Sequence, residues 1–277
     1  MSNKQAKPFV KWAGGKGQLL EQFKEIFPNE FNTYYEPMVG AGAVFFELNP
    51  KRAVINDVNE DLIKTYRVVR DKVQDLIEIL KEFEKSHDEE FYYQKRGEFN
   101  LIKKENNPDH DLDLAARFIY LNRTCFNGLY RVNSSGEFNV PMGSYKNPTI
   151  CNKELLKVVS KRLKKTKIKY GDFESAIEGV DADDFVYFDP PYDPVSKTSN
   201  FTEYTNGGFG DQDQKRLAKV FKKLSRKNAK VALSNSDTEF IRNLYDDFKI
   251  KKVEASRFIN CKSKERGKVG EVLIVNF

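Results

Sequence analysis

Four consecutive residues, Asp189-Pro190-Pro191-Tyr192, carry the most specific chemistry in the chain. They close a β-rich run, Phe185–Asp189, and a chance match to these four residue types is on the order of one in a thousand at average usage. A carboxylate and the carbonyl of Pro190 both accept hydrogen bonds, and an exocyclic amino group has two N–H donors to give. Accepting both turns the nitrogen lone pair out of ring conjugation and towards an electrophile. The prolines fix φ and bring no N–H donors of their own, so the acceptors stay aimed. Tyr192 can stack on a base, because every base presents a π-face. The motif predicts alkylation of an amino group, with Asp189, Pro190, Pro191 and Tyr192 as catalytic residues. By itself it leaves adenine, cytosine and glutamine open; a Pro-Pro turn that merely ends a strand is the plain alternative.

A second segment fits a cofactor. Tyr35-Glu36-Pro37-Met38-Val39-Gly40-Ala41-Gly42-Ala43 runs from a predicted strand into a helix through a GxG turn. Glycines there let the backbone turn tightly and approach a ligand at the carboxyl edge of a sheet. Asp57 closes the next strand 17 residues beyond Gly40, close to the spacing of the acidic residue that binds ribose hydroxyls in nucleotide folds. Phe45 stands where a dinucleotide fingerprint has its third glycine, so a single-nucleoside cofactor fits better than NAD or FAD. The N-terminal run Phe9 to Lys16 holds the only Trp and a Gly-Gly turn. It lacks the GxxxxGK[ST] phosphate-loop pattern, since Gly17 follows Lys16. A third segment, Leu121 to Arg131, gathers Asn122, Arg123, Phe126, Asn127 and Arg131 at a helix end and loop. Arg reads guanine edges, Asn reads adenine edges and an aromatic can wedge into a base stack.

The elements that must position these residues follow from periodicity. Seven β-rich runs are predicted: Tyr34–Val39, Ala53–Asn56, Lys167–Tyr170, Phe185–Asp189, Lys230–Ser234, Phe248–Glu254 and Glu271–Asn276. Helical stretches at Gln18–Ile26, Val44–Leu48, Gln212–Ser225 and Glu239–Asp246 alternate with them, which predicts an open α/β sheet with mostly parallel strands. Between Asp57 and Lys167 no buried parallel strand is predicted. Asp61–Glu84, Glu89–Asn106 and Leu112–Leu121 read as helices, and Leu129–Val132 with Glu137–Val140 read as a hairpin across Asn133-Ser134-Ser135-Gly136. That detour predicts an inserted domain, 59–165, within a catalytic domain made of 1–58 and 166–277. The Lys- and Arg-rich run Lys157–Lys169 reads as a solvated helical face before it reads as a DNA contact.

Composition sets bounds on partners. With 277 residues, 39% of them hydrophobic, the chain can bury a proper core. Lys and Arg number 47 against 41 Asp and Glu, a net charge of +6, which suits a basic patch for a polyanion better than a histone-like tail. Cys125, Cys151 and Cys261 are far apart, and His87 and His110 are the only histidines. A metal site is therefore not expected, and idle thiols are. Met1 to Lys7 is polar and no run reaches the length of a membrane span, so a cytoplasmic protein with no membrane partner is expected.

Taken in order, FVKWAGGK, YYEPMVGAGAVFFEL, AVINDVNEDLI, LNRTCFNGLYRVNSSGEFNVPMGSYKNP, DFVYFDPPY and ALSNSDTEF resemble Dam-type (class alpha, D12) DNA adenine-N6 methyltransferases, and their GATC-modifying branch in particular. The resemblance runs from Pro8 to Phe277. It implies a Rossmann-like S-adenosylmethionine methyltransferase sheet of about seven strands with an inserted helical DNA-recognition domain. It implies S-adenosyl-L-methionine as cofactor and double-stranded DNA as partner, with the adenine flipped out of the stack. Trp12, Lys16, Asp57 and Asp189 match the family's cofactor contacts, with Glu36, Pro37, Gly40, Ala41 and Gly42 in the cofactor turn. Asp172 and Phe173 fall where the family holds the cofactor's adenine. Lys11, Asn127, Leu129, Arg131 and Pro141 match positions that touch the GATC bases; Arg123 shares their loop, and Phe126 falls where an aromatic enters the duplex. Ser144 stands in place of a common arginine, and Thr124-Cys125 is not a usual pair. The branch includes restriction–modification methylases, so a cognate endonuclease would be a genetic and not a physical partner. Related motifs in methyltransferases for cytosine N4, RNA or protein glutamine, and a DNA-binding module without activity, are the rival readings.

Overall fold

The computed structural model describes residues 5–194, 208–254 and 270–277; Cys261, expected to be an idle thiol, lies outside the described residues. Seven strands form one mixed sheet of order β3-β2-β1-β4-β5-β7-β6. They are β1 (Tyr34–Glu36), β2 (Ala53–Asp57), β3 (Thr166–Tyr170), β4 (Phe185–Phe188), β5 (Lys230–Ser236), β6 (Lys249–Val253) and β7 (Glu271–Val275). Pairs β2–β3, β1–β4 and β4–β5 are parallel, while β7 runs antiparallel to both β5 and β6. The seven runs read from the sequence are these seven strands, with ends shifted by up to three residues.

Two compact units divide the chain, one of residues 1–15 and 39–172, the other of 16–38 and 173–277. In the second, β4 is buried along its whole length, Phe-Val-Tyr-Phe, as expected for a strand with neighbours on both edges and cover on both faces. Helix α1 (Leu20–Ile26) lays Phe23 and Phe27 against it, with Phe27 and Phe185 ring centroids 5.0 Å apart. Helix α9 (Asp211–Arg226) buries Leu217, Val220, Phe221 and Leu224 at three- and four-residue spacing, and each such side chain contributes about 1.5–3 kcal/mol. Helices α8 (Phe173–Ala176) and α10 (Glu239–Leu244) complete this unit. Strand β6 reads Lys-Ile-Lys-Lys-Val and stays largely exposed, a charged edge of the kind that resists further pairing.

The first unit holds α2 (Ala43–Leu48) and, between β2 and β3, the helices α3 (Glu60–Asp71), α4 (Val73–Lys85), α5 (Glu89–Glu105), α6 (Asp111–Thr124) and α7 (Lys153–Leu163). The single helix expected over Asp61–Glu84 is two, broken at Lys72, whose φ of −126° and ψ of 35° leave the helical region. Both helices pack against α6 and α7, and α3 in addition against β2 and β3. The expected hairpin is reduced to one antiparallel bridge, Val132 with Phe138. Its turn is nevertheless formed: Glu137 and Gly136 exchange backbone bonds with Asn133, whose side chain also accepts from Ser135 and Glu137. Helix α7 buries Leu156, Val159 and Leu163 and leaves Lys153, Lys161 and Lys164 outward.

Candidate active site and base-reading loop

In the second unit, β4 delivers Asp189 at its carboxyl end, and Asp189, Pro191 and Asp193 are each held by hydrogen bonds with neighbouring elements. The Asp189 carboxylate receives the Lys16 ammonium at 2.8 Å and the Ser234 hydroxyl at 2.8 Å, both on Oδ1. Ser234 lies on β5, the neighbour of β4, and is itself bonded to the buried Tyr187 hydroxyl at 2.8 Å. Among the described residues Oδ2 carries no partner, so one carboxylate oxygen is fixed and the other is left for a donor. Gln214 of α9 donates to the Pro191 carbonyl at 2.9 Å, and Asn235 accepts from the Asp193 N–H at 2.9 Å. Asn235 also donates to Gln214 at 3.1 Å, so the two amides brace each other. The Pro190 carbonyl has no such tie among the described residues, which leaves it, beside Oδ2, as the second acceptor expected from the sequence.

Tyr192 is fixed by its far end. Its hydroxyl donates to Glu271 at 3.0 Å, and Lys16 stands 4.7 Å above its ring. Burial, then the Asp189 and Glu271 charges, push its hydroxyl well above the usual tyrosine range. It is a neutral aromatic surface. Glu36 is buried on β1 and accepts from the Tyr34 hydroxyl at 2.7 Å; Pro37 is buried beside it. Phe173 is buried against Phe188, with the Arg216 guanidinium 4.6 Å from its ring. Its side chain is thus part of the core; of the expected adenine-holding pair, only Asp172 is exposed.

In the first unit, Gly40 turns the chain at a φ of 48°, and a Cβ there would sit 2.7 Å from the Trp12 ring. Only glycine lets the indole lie against this turn. The Gly40 N–H donates to one Asp57 oxygen and the Asn59 N–H to the other, each at 2.9 Å. Burial raises the Asp57 carboxyl above the usual aspartate range, against the N–H groups of Asn59, Gly40 and Val58, which pull it down. Ala41 and Gly42 are buried in the same turn, and the Tyr66 hydroxyl donates to the Gly40 carbonyl at 3.0 Å. A backbone cradle with a carboxylate at its rim suits a nucleoside's sugar hydroxyls.

The loop after α6 belongs to this unit as well. Asn122, buried, donates to the carbonyls of Lys11 (2.8 Å) and Gly128 (3.1 Å) and accepts from the Lys11 N–H at 2.7 Å. It mimics a strand partner for the N-terminal segment and fastens that segment to the loop. Gly128 has a φ of 64°, and a Cβ there would overlap the Lys11 stem. Lys11 points its ammonium to the Tyr145 hydroxyl, 3.0 Å away. Phe126 is 52% exposed at the loop tip, an unusual place for a phenyl ring, and Asn127 beside it takes a φ of 55°. The Phe126 N–H bonds to the Pro141 carbonyl at 2.9 Å. Arg131 is exposed and aimed by Asn139, which accepts from its Nε at 2.8 Å. Leu129 is half-buried. Arg123 bonds the Thr149 carbonyl at 3.2 Å, and burial lowers its guanidinium below the usual range; part of its donor set is taken up within the protein.

Sequence reasoning missed Asn122, Ser234, Glu271, Asn235 and Gln214 as site-building residues. For Ser234 and Asn235 a signal existed, in the polar run Ser234-Asn235-Ser236 that ends an otherwise apolar strand. Cys125 is buried, and burial pushes its thiol up to about 11. No group of three or more His, Cys, Asp and Glu residues that could hold a metal occurs among the described residues.

Residues 12–259 match the family model for D12 class N6 adenine-specific DNA methyltransferases. The chain is similar to the type II methyltransferase M.MjaIII of Methanocaldococcus jannaschii, 50% identical over 99% of this chain and 100% of that one. It is likewise similar to the type II methyltransferase M1.LlaDCHI of Lactococcus lactis subsp. cremoris, 46% identical over 98% and 95%. A DNA adenine methylase of Haemophilus influenzae is 37% identical over 97% of this chain and 93% of its own length.

Proposed function

Because the chain belongs to the D12 class of N6 adenine-specific DNA methyltransferases, we propose that it methylates the adenine of GATC after flipping that base from the duplex to Asp189–Tyr192. It is a DNA methyltransferase specific for adenine, and S-adenosylmethionine is its methyl donor. When bound, the donor supplies an activated methyl on a sulfonium and the leaving group with it. The residues fit it: the Gly40 turn lies against the Trp12 indole, and the Asp57 carboxylate is already oriented by two backbone donors for ribose hydroxyls. Trp12 and Lys16 complete the residues expected to touch it.

The protein's own part is alignment and water exclusion. Asp189 Oδ2 and the Pro190 carbonyl accept the two amino N–H bonds of adenine, and Tyr192 stacks on its ring. Lys16 and Ser234 stop the carboxylate from rotating. Phe126 enters the stack as the adenine leaves, at a cost of a few kcal/mol for unstacking. Arg131, held by Asn139, and Asn127 read base edges, with Leu129, Pro141, Lys11 and Arg123 in support; residues 59–165 form the recognition insert. The anchoring of Asp189 Oδ1 by Lys16 and Ser234, which leaves Oδ2 for a donor, is the observation that supports transfer to an amino group here; the GATC target is supported by the relatives named DNA adenine methylases. The relatives named type II methyltransferases support a restriction–modification role with a genetically linked endonuclease, and the protein is assigned to the cytoplasm.

Two duplexes differing only by GATC or a scrambled tetramer, incubated with labelled donor, test the target. Nucleoside analysis should return N6-methyladenine from the first alone. Equal incorporation into both would overturn the GATC assignment, and N4-methylcytosine would overturn the acceptor.

A further inference from the structure

Between the base-reading residues Leu129 and Arg131 stands Tyr130, only 9% exposed, which neither the donor nor the duplex is expected to touch. Its ring stacks on the Trp12 indole, with centroids 5.7 Å apart and planes 26° apart, and lies tilted against Phe118 at 5.6 Å. Its hydroxyl donates to the buried carboxylate of Asp61 at 2.5 Å, and the same oxygen takes the Lys103 ammonium at 2.8 Å. Asp61 sits in the first turn of α3, four residues after Asp57, and that turn is capped by Asn59, whose side chain accepts from Leu62 at 2.9 Å. Tyr130 thus has one contact on each cofactor-binding feature of this unit: the indole that lies against Gly40, and the helix start that follows Asp57.

On the function proposed above, we infer that Tyr130 is a positioning residue that couples donor binding to base reading. A ligand on the Gly40–Asp57 cradle restricts Trp12 and the first turn of α3. Both restraints act on Tyr130, and Tyr130 is covalently next to Arg131 and Leu129. The loop around it is also held by the Phe126 N–H on the Pro141 carbonyl and by Asn122 on the Gly128 carbonyl, and Tyr130 supplies its contacts with the Trp12 ring and with Asp61. Fixing Tyr130, and with it the backbone that carries Leu129 and Arg131, once by the donor lowers the cost that DNA would otherwise meet. Coupling of this kind travels through packed, hydrogen-bonded contacts and typically changes affinity 5–150-fold in both directions.

Tyr130→Phe is the decisive variant, since it keeps the stacked ring and the Asp61–Lys103 pair while removing the hydroxyl's bonds to Asp61 on α3 and to Lys103, which donates to it at 3.0 Å. The measurement is the ratio of dissociation constants for a GATC duplex without and with saturating S-adenosylhomocysteine. For the unaltered protein the ratio should be at least 5, with the reciprocal effect of DNA on S-adenosylhomocysteine. Tyr130→Phe should bring it below 2, with affinity for S-adenosylhomocysteine alone within threefold of the original. Asp61→Asn, which keeps an acceptor, should fall between the two. A ratio near 1 in the unaltered protein overturns the inference, and so does an unchanged ratio in Tyr130→Phe accompanied by uniformly weaker binding, the signature of a merely structural residue. Methyl transfer to GATC by the unaltered protein is scored separately, so failure of the target assignment shows there and not in the ratio.

Discussion

At the scale of single residues, Asp189 and Asp57 were legible because their neighbours in sequence announce them, a Pro-Pro-Tyr run for one and a GxG turn for the other. Ser234 and Asn122 were harder to read, because their partners lie 45 and 111 residues away and neither the polar end of β5 nor the segment around Asn122 says which partner each one meets. Ser234 donates to a charged oxygen, a bond that contributes roughly 1.5–3 kcal/mol. Ser234→Ala should therefore lower kcat about 10- to 100-fold while the KM for DNA stays within threefold; steady-state kinetics with an unchanged kcat would remove Ser234 from the machinery. Asp57 carries a pH prediction. On the function proposed above, the donor's ribose meets the ionised carboxylate, whereas burial raises its folded value above the ordinary one of about 3.9. Protons then compete with the donor, and donor affinity should fall as pH drops through that raised value. By the same sign, the proton on Asp57 favours the folded state below the unfolded value, and that contribution is lost as pH rises through the folded one. Calorimetry of S-adenosylhomocysteine binding against pH should show an acid limb that disappears in Asp57→Asn, where binding is weaker throughout. An identical limb in that variant would assign it to another group.

At the scale of elements, strands were easier to read than the insert. β-Branched and aromatic runs between turn residues mark β1, β2, β4, β5 and β7, which are buried along most of their length, whereas the edge strands β3 and β6 interleave exposed lysines and are marked less clearly. The break at Lys72 left no such mark, because the apolar periodicity runs on from α3 into α4 and neither Pro nor Gly stands between them. The hairpin failed for the opposite reason. Its turn chemistry at Asn133–Gly136 is correct and forms, but its flanks bond to α5, through Asn100 to Phe138 at 2.8 and 3.1 Å, and to one another at a single bridge. Gly128 tests whether the loop after α6 is a rigid reader. Alanine there would have to take a φ of 64° and displace the Lys11 stem, a strain of roughly 1–3 kcal/mol. Gly128→Ala should weaken GATC binding at least tenfold in a fluorescence titration while the scrambled duplex is affected less than threefold. Equal weakening of both duplexes would mean that the loop supports binding in general and reads nothing.

At the scale of the whole molecule, the net charge of +6 indicates a polyanion without saying which lysines and arginines meet it. The structure separates two groups. Lys11, Arg123 and Arg131 are gathered on the segment fastened by Asn122, whereas Lys153 and Lys161 stand on the outward side of α7, whose opposite side packs into its own unit. Phosphate neutralisation makes the logarithm of affinity fall with the logarithm of salt, with a slope of about 0.9 per phosphate contact. If the charges on α7 are a solvated face, Lys153→Gln with Lys161→Gln should leave that slope unchanged within about 0.3, for GATC and scrambled duplexes alike. Arg123→Gln should flatten it by about one contact, on both duplexes, since a phosphate contact positions without specifying. Arg131→Ala should instead narrow the gap between the two duplexes, because an arginine at a base edge contributes roughly 1–3 kcal/mol of discrimination. A slope that falls by nearly two in the α7 double variant would place DNA along that helix. The base-reading loop would then be only one part of a wider footprint, and the modest charge excess would be working on a face that the helical pattern alone marks as solvent.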